Sequence, residues 1–115
     1  MYWNSSLWNA HSGGHDPRRA RRFVRYAPAR LYSLDGKLLA EGFSLDLSMD
    51  GARLQVNRPI PEGTPVRLAM TARNQPFRMF CMARVVADRA GRCHVRFGGR
   101  SKSQLHELAR YLESA

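Results

Sequence analysis

Six arginines and no lysine lie in residues 18–30 of this 115-residue chain, in the segment RRARRFVRYAPAR. A lysine offers a compact point charge, whereas the planar arginine fork grips phosphate through two hydrogen bonds, reads a guanine edge and stacks on a base. A diffuse electrostatic role does not require this choice of residue. The segment therefore indicates an anionic partner of defined shape.

A carboxylate and a hydroxyl lie close together further along, in SLDLSMDGARL at residues 44–54. Because side chains alternate along a strand, Leu45 and Leu47 are expected to face the core, and Asp46 and Ser48 the outer surface. An ionised carboxylate can accept both N1–H and N2–H of guanine, with the hydroxyl beside it. Gly51 follows where a turn needs positive φ or a close backbone approach. The alternative, that these are only the turn residues of a hairpin, stays open.

Short alternating stretches separated by turn residues must position these groups. Asp35-Gly36 predicts a two-residue hairpin turn, and residues 43–56 predict a second hairpin. About six antiparallel strands are expected, closing into a barrel. SKSQLHELARYLESA then predicts an amphipathic helix, with Ser101 and Gln104 spaced as a capping box.

The resulting prediction is a mainly β protein, a six-stranded antiparallel barrel with a C-terminal amphipathic helix and a flexible N-terminal arm. Residues 1–17 are expected to form a flexible tail, which carries Tyr2, Trp3 and Trp8. Within the domain at 18–115, the arginine arm is placed at 18–30, the barrel at 29–98 and the helix at 102–114.

Composition narrows the classes of partner and activity. Nineteen Lys and Arg against nine Asp and Glu give a net charge of +10, which favours nucleotides, nucleic acid, acidic proteins or an anionic membrane surface. No apolar run is long enough to span a membrane, and the N-terminus lacks the features of a signal peptide. Cys81 and Cys93 are expected as buried reduced thiols, in a cytoplasmic protein. The histidines show no metal-ligand spacing, and no nucleophile–base pair suggests an enzyme, so neither metal nor cofactor is expected.

The two clusters together resemble a known signature. Arg21-x-x-x-Arg25, followed by Asp46-x-Ser48-x-x-Gly51, is similar to the two-part motif of the PilZ domain, the bacterial receptor for cyclic di-GMP. The resemblance covers roughly residues 18–112, including VRF on the last strand and the terminal helix. It implies a protein that binds the second messenger, performs no chemistry and signals to a protein partner in a process such as motility or biofilm regulation.

The resemblance also assigns residues. It implies that Arg21 and Arg25 contact phosphates and the Hoogsteen edge of guanine, with Arg22 as the adjacent arginine. It places Asp46 and Ser48 against guanine, with Gly51 making room. Possible additional ligand contacts come from Arg18, Arg19 and Arg53. Ala20 stands where many members carry a bulkier or basic residue, which leaves open whether one nucleotide or an intercalated pair binds.

Two other functions remain as alternatives. One is a PilZ-like interaction protein of pilus or flagellar machinery that binds no nucleotide. The other is a small arginine-rich barrel that binds single-stranded nucleic acid, which needs surface aromatics for base stacking. Nucleic acid is disfavoured because Phe43, Phe80 and Phe97 are expected in the core, which leaves Tyr26 and Tyr32 as surface platforms. The sequence does not predict the oligomeric state.

Overall fold

Seven strands and one helix make up the computed structural model, which describes residues 21–72 and 78–113. The expected aromatic tail, Arg18 and Arg19 lie outside the described residues. The strands are β1 (Phe23–Val24), β2 (Pro28–Tyr32), β3 (Leu38–Leu47), β4 (Gly51–Val56), β5 (Pro65–Thr71), β6 (Arg78–Arg89) and β7 (Arg92–Phe97), and the helix is α1 (Lys102–Glu113).

The strands form a closed antiparallel barrel. Six of them pair in the order β3-β2-β5-β6-β7-β4, and β4 pairs with β3 to close the ring. The two-residue β1 pairs with the end of β3 beside β2. Alternate residues fill the interior, among them Leu31, Leu54, Leu68, Val85, Val95 and Phe97, each fully buried. The predicted six-stranded barrel is therefore confirmed.

The C-terminal helix packs onto this core through one face. Leu108, Tyr111 and Leu112 are buried against the barrel residues. The capping box forms as predicted: Gln104 N–H donates to Ser101 Oγ at 3.2 Å, and Ser101 N–H donates to Gln104 Oε1 at 3.1 Å. No helix in these parts of the chain is long and apolar enough to cross a bilayer.

The Asp35-Gly36 turn differs from the prediction in length. Strands β2 and β3 are joined by the five residues 33–37, in which Ser33 N–H donates to Lys37 O at 2.8 Å. Gly36 takes the left-handed conformation, with φ of 95°. The Ser33 hydroxyl also accepts from Lys37 N–H and contacts Asp35, and these local bonds support a longer loop than two residues.

Two phenylalanines expected in the core lie on the surface. Phe97 is fully buried, but Phe43 is 42% exposed and Phe80 is 51% exposed. Each phenylalanine lies in a strand, β3 or β6, that carries apolar residues on both its buried and its exposed face. Apolar character alone therefore does not determine which face points inward. In β6 the inward positions go to Met79 and Cys81. The barrel surface therefore carries more aromatic area than predicted.

Candidate functional site

Asp46 lies on the outer face of the barrel, near the end of β3. Its carboxylate Oδ1 accepts from Arg22 Nε at 2.9 Å, and Oδ2 accepts from Arg53 Nε at 2.7 Å. Arg53 Nη2 is also 2.6 Å from Oδ2. Because the two guanidiniums cover it, Asp46 is only 6% exposed although it points away from the core. The structure thus brings together one predicted ligand carboxylate and two predicted arginines.

A β-bulge aims Asp46 at Arg53. Ser44 pairs with Leu54 and Asp46 pairs with Arg53, so Leu45 has no partner on β4. The expectation that Leu45 faces the core is wrong, because the extra residue changes the phase of the strand: Leu45 is half-buried, whereas Ser44 is fully buried. No turn residue or periodicity in the sequence marks this bulge.

Ser44 anchors the arm to β3, a role that sequence reasoning missed. Its Oγ accepts from Ala27 N–H at 2.9 Å and donates to Arg25 O. Ser44 N–H also donates to Ala27 O at 2.8 Å. A buried hydroxyl needs such partners. Here they connect β3 to Arg25 and Ala27 of the arm.

Ser48 and Gly51 lie in the β3–β4 turn. Ser48 Oγ donates to Asp50 Oδ1 at 2.7 Å and accepts from Gly51 N–H at 3.2 Å. Ser48 is fully buried, so the expectation that it shares the outer face with Asp46 is wrong: β3 ends at Leu47, and strand alternation does not extend past it. A Cβ on Gly51 would lie 2.5 Å from Val95 O, so this glycine permits close packing on β7. Both residues make the contacts of the turn alternative, and their ligand roles stay predictions.

The signature arginines Arg21 and Arg25 pack on aromatic rings instead of on Asp46. The guanidinium carbons of Arg21 and Arg25 lie 4.8 Å and 5.6 Å from the centroid of the Phe23 ring. Arg25 also lies 5.8 Å from the Tyr111 centroid, and its Nη2 donates to Leu112 O at 2.7 Å. One of the two arginines is therefore held at the C-terminal end of α1.

His94 is a member of the site that the sequence analysis did not single out. Arg22 Nη2 lies 3.3 Å from His94 Nε2, and since arginine can only donate, the imidazole accepts and is neutral. Burial lowers the pKa of His94, and so do the neighbouring charges of Arg22, Arg53 and Arg96, against an opposing effect of Asp46. Alternation in RCHVRF could have placed His94 outward, but only the β4–β7 pairing puts it opposite Arg53.

The lowered pKa of His94 predicts a pH dependence of stability. In the unfolded chain a histidine titrates near pKa 6.5, above the folded value, so between the two pKa values the unfolded state binds more protons. We expect the free energy of unfolding to fall as the pH drops through about 6.5 and to level off below the folded pKa. Urea denaturation between about pH 7.5 and about pH 5 measures this slope. His94→Gln should reduce the slope and His106→Gln, at an exposed position of α1, should not; an unchanged slope in His94→Gln contradicts the assignment.

A groove continues from the site along β4 and β7. It has a volume of about 440 Å³ and is lined by Arg53, Gln55, Ala87, Arg89, Ala90, Arg92 and His94. None of these lining residues carries a carboxylate. Arg53 and His94 belong both to the groove and to the surroundings of Asp46, so the two are continuous.

The described residues hold no cluster of three or more His, Cys, Asp or Glu that could ligate a metal ion. Cys81 and Cys93 are free and buried, as predicted. Burial raises the pKa of Cys81 to about 11 and that of Cys93 to about 12, so both are protonated thiols at neutral pH.

A comparison with protein families identifies the chain. The sequence model of the PilZ domain matches residues 16–114. The chain belongs to the PilZ domain family. PilZ domains are receptor and regulatory domains. No curated protein matches the sequence at a significant level.

Solved PilZ structures share the fold. The PilZ domain of CeSA from a cellulose-synthesizing bacterium is 22% identical, with a TM-score of 0.65 over 80% of this chain and 94% of that chain. The PilZ domain of Escherichia coli YcgR, solved with c-di-GMP, is 17% identical, with a TM-score of 0.67 over 84% and 89%. The Bacillus subtilis inhibitor of motility, MotI/DgrA, is 12% identical, with a TM-score of 0.67 over 84% of this chain and 49% of that one.

Proposed function

We propose that this PilZ domain binds cyclic di-GMP on the outer face of the barrel around Asp46 and relays the signal to a protein partner, without catalysing a reaction. One observation carries the proposal. The Asp46 carboxylate is held in a fixed position on the surface by Arg22 and Arg53, next to the arm that carries the signature arginines. A preorganised carboxylate of this kind is suited to accept the paired N1–H and N2–H donors of guanine.

Arg22 has to move before guanine reaches Asp46. Oδ2 already accepts from Arg53, and Oδ1 is covered by Arg22. When Arg22 leaves, Oδ1 becomes free to accept hydrogen bonds from guanine, while the bonds from Arg53 to Oδ2 keep the carboxylate in place. The released Arg22 guanidinium is then available for a phosphate or for the N7 and O6 acceptors of guanine, as arginine forks commonly are.

Arg25 exchanges one acceptor for another in the same step. Its Nη2 donates to Leu112 O, where the partial negative charge at the C-terminus of a helix favours a cation. A ligand phosphate carries a full negative charge and competes for the same guanidinium. Binding therefore removes a contact from the end of α1, and a partner that reads this end detects the ligand.

The comparisons support the ligand and the process at the level of the family. The YcgR structure contains c-di-GMP, and MotI/DgrA is named as an inhibitor of motility. Control of motility or biofilm formation is the corresponding proposal for this chain. Arg21, Ser48 and Gly51 complete the proposed site, although in the present conformation they contact Phe23 and the β3–β4 turn.

Single-stranded nucleic acid remains the second candidate because of the exposed aromatic residues. Tyr26 is 68% exposed, and its ring centroid lies 6.5 Å from that of the partly exposed Phe43. Aromatic pairs of this kind beside arginines can stack successive bases.

Calorimetric titration separates these functions. We expect cyclic di-GMP to bind with higher affinity than GTP or a short single-stranded oligonucleotide, and the stoichiometry to show whether one or two molecules bind. Binding of the oligonucleotide alone supports the second candidate, and the absence of binding by all three supports an interaction protein that has no nucleotide ligand.

Arg25→Ala is expected to weaken cyclic di-GMP binding by about tenfold, since a bidentate arginine contact contributes about 1–3 kcal/mol. Arg25→Lys should not restore affinity because lysine lacks the planar fork. Titration calorimetry measures the affinities, and thermal denaturation confirms folding. Arg30→Ala is the matched control: Arg30 lies in the same arginine segment but pairs with Glu41, at 3.3 Å. Wild-type affinity in Arg25→Ala contradicts the role of Arg25.

A further inference from the structure

Two residues form the turn between β6 and β7. Ala90 and Gly91 connect the strands with φ of 50° and 81°, two successive residues in the left-handed region. This geometry matches the twist of a hairpin, but it disfavours any residue that has a Cβ. Among the residues described, Ala90 is the only one other than glycine with positive φ. Gly91 suits this conformation, whereas Ala90 adopts one that its residue type does not favour.

Two arginines face each other across this turn. Arg89 and Arg92 are direct partners in the β6–β7 ladder. Like charges placed directly opposite one another destabilise a sheet. In the described ranges neither side chain has a hydrogen bond or ion pair that offsets this repulsion. Both side chains are exposed, and an anion that lies between or beside the two guanidiniums would remove the repulsion that solvent leaves unscreened.

Backbone contacts dock the turn on β4. Gly91 O accepts from Val56 N–H at 2.9 Å and from Gln55 Nε2 at 3.3 Å. A Cβ on Gly91 would lie 3.0 Å from Gln55 Nε2, which shows how closely the two segments approach. The base of each arginine is consequently fixed at the rim of the groove, so an anion there is bound without the cost of ordering a loop.

We propose that this groove is a phosphate site, in which Arg89 and Arg92 bind a phosphate group of a nucleotide lying beside the one at Asp46. A volume of about 440 Å³ is typical of small-molecule pockets. The lining combines arginines and a histidine with the amide of Gln55 and no carboxylate, which suits an anion that also has hydrogen-bonding groups.

The groove adjoins the proposed guanine position at Asp46, which favours a nucleotide phosphate over an unrelated anion as its ligand. Arg53 lines the groove and also holds Asp46, so any ligand there is adjacent to the proposed guanine position. The phosphate belongs either to the same cyclic di-GMP or to a second nucleotide. This inference rests on the proposed function for the identity of the neighbour, but not for the anion chemistry of the groove.

The test compares two double variants that remove the same charge. Arg89→Gln with Arg92→Gln alters the groove. Arg67→Gln with Arg78→Gln is the control, since Arg67 is exposed on β5, three strands from β4 in either direction around the barrel, and Arg78 lies at the end of β6 remote from Arg89. Calorimetry uses cyclic di-GMP, GMP and pyrophosphate. Thermal denaturation should show that the groove variant is at least as stable as the wild type, because a repulsive pair is removed.

We expect the groove variant to lose about tenfold or more in affinity for cyclic di-GMP, or to bind one molecule where the wild type binds two, while the control stays near wild type. A lower affinity at unchanged stoichiometry assigns the phosphate to the same ligand, and a halved stoichiometry assigns it to a second nucleotide. Equal losses in both double variants, no loss in the groove variant, or no binding of any probe to the wild type overturns the proposal. If the wild type binds pyrophosphate through the groove but does not bind cyclic di-GMP, the groove stands and the proposed function fails.

Discussion

Asp46→Ala is expected to bind cyclic di-GMP at least about a hundredfold more weakly than the wild type. The substitution removes the acceptor of two guanine donors, and hydrogen bonds to a charged group contribute about 1.5–3 kcal/mol each. Stability should change little, because Asp46 faces outward and its partners Arg22 and Arg53 are partly exposed and can be solvated. Titration calorimetry with cyclic di-GMP and cyclic di-AMP measures both the affinity and the discrimination between guanine and adenine.

Glu41→Ala provides the matched control for this experiment. Glu41 lies on the same strand, also faces outward and also forms an ion pair, in this case with Arg30. A general effect of removing one negative charge from a basic protein would appear equally in both variants. Equal affinities of Asp46→Ala and the wild type would show that guanine, if it binds, is read elsewhere.

Gly42→Ala is expected to lower the free energy of unfolding by at least about 3 kcal/mol, because a methyl group is forced against backbone. Gly42 pairs with Ala29 of β2 and with Val56 of β4, at the strand that closes the barrel. A Cβ there would lie 1.7 Å from Gln55 O and 2.8 Å from Gln55 C. A peptide group inside a ladder cannot rotate away as a side chain does, so the β3–β4 pairing has to open. Urea denaturation monitored by circular dichroism measures the loss.

Gly99→Ala supplies the comparison. Gly99 lies between β7 and α1, and a Cβ built there meets nothing within 4 Å. We expect its free energy of unfolding to stay within about 0.5 kcal/mol of the wild type. Similar stabilities of the two variants would mean that β3 and β4 are not as close at Gly42 as the structure has them.

The sequence predicted which strands and helix form better than it predicted which face of each strand points into the barrel. Alternation and turn residues were enough for six strands, and the spacing of Ser101 and Gln104 was enough for the start of α1. The phase of the strands depends on bulges and on pairing between distant strands, neither of which a local pattern contains. Phe43 and Phe80 were misplaced for this reason.

In the site, too, the sequence predicted some residues and missed those that tertiary contacts bring together. The resemblance to the PilZ motif implied Arg22 and Asp46 as ligand residues and Arg53 as an additional contact, and the structure brings these three side chains together. It did not predict His94, which becomes a neighbour only through the β4–β7 register, nor Ser44, whose importance follows from burial. Both depend on tertiary contacts. The positions of Arg21 and Arg25 against aromatic rings likewise depend on how the arm packs on Phe23 and α1.

The buried hydroxyl of Ser44 makes Ala27 the pivot of a lever. Ala27 N–H donates to Ser44 Oγ, which fastens the chain to the barrel at this residue. The backbone before Ala27 pairs with β3 at Phe23 and Val24, so it can swing once this short β1 pairing opens. From Ala27 to Arg21 the lever has six residues, with a maximum length of about 20 Å. Both signature arginines precede Ala27, so when β1 separates from β3 the reach of each guanidinium is limited by its distance along the chain from the residue that Ser44 holds. For the proposed ligand, we expect the footprint on this barrel to depend on the distance along the chain between this pivot and each guanidinium. Inserting residues between them should then enlarge the footprint without altering any group that touches the ligand.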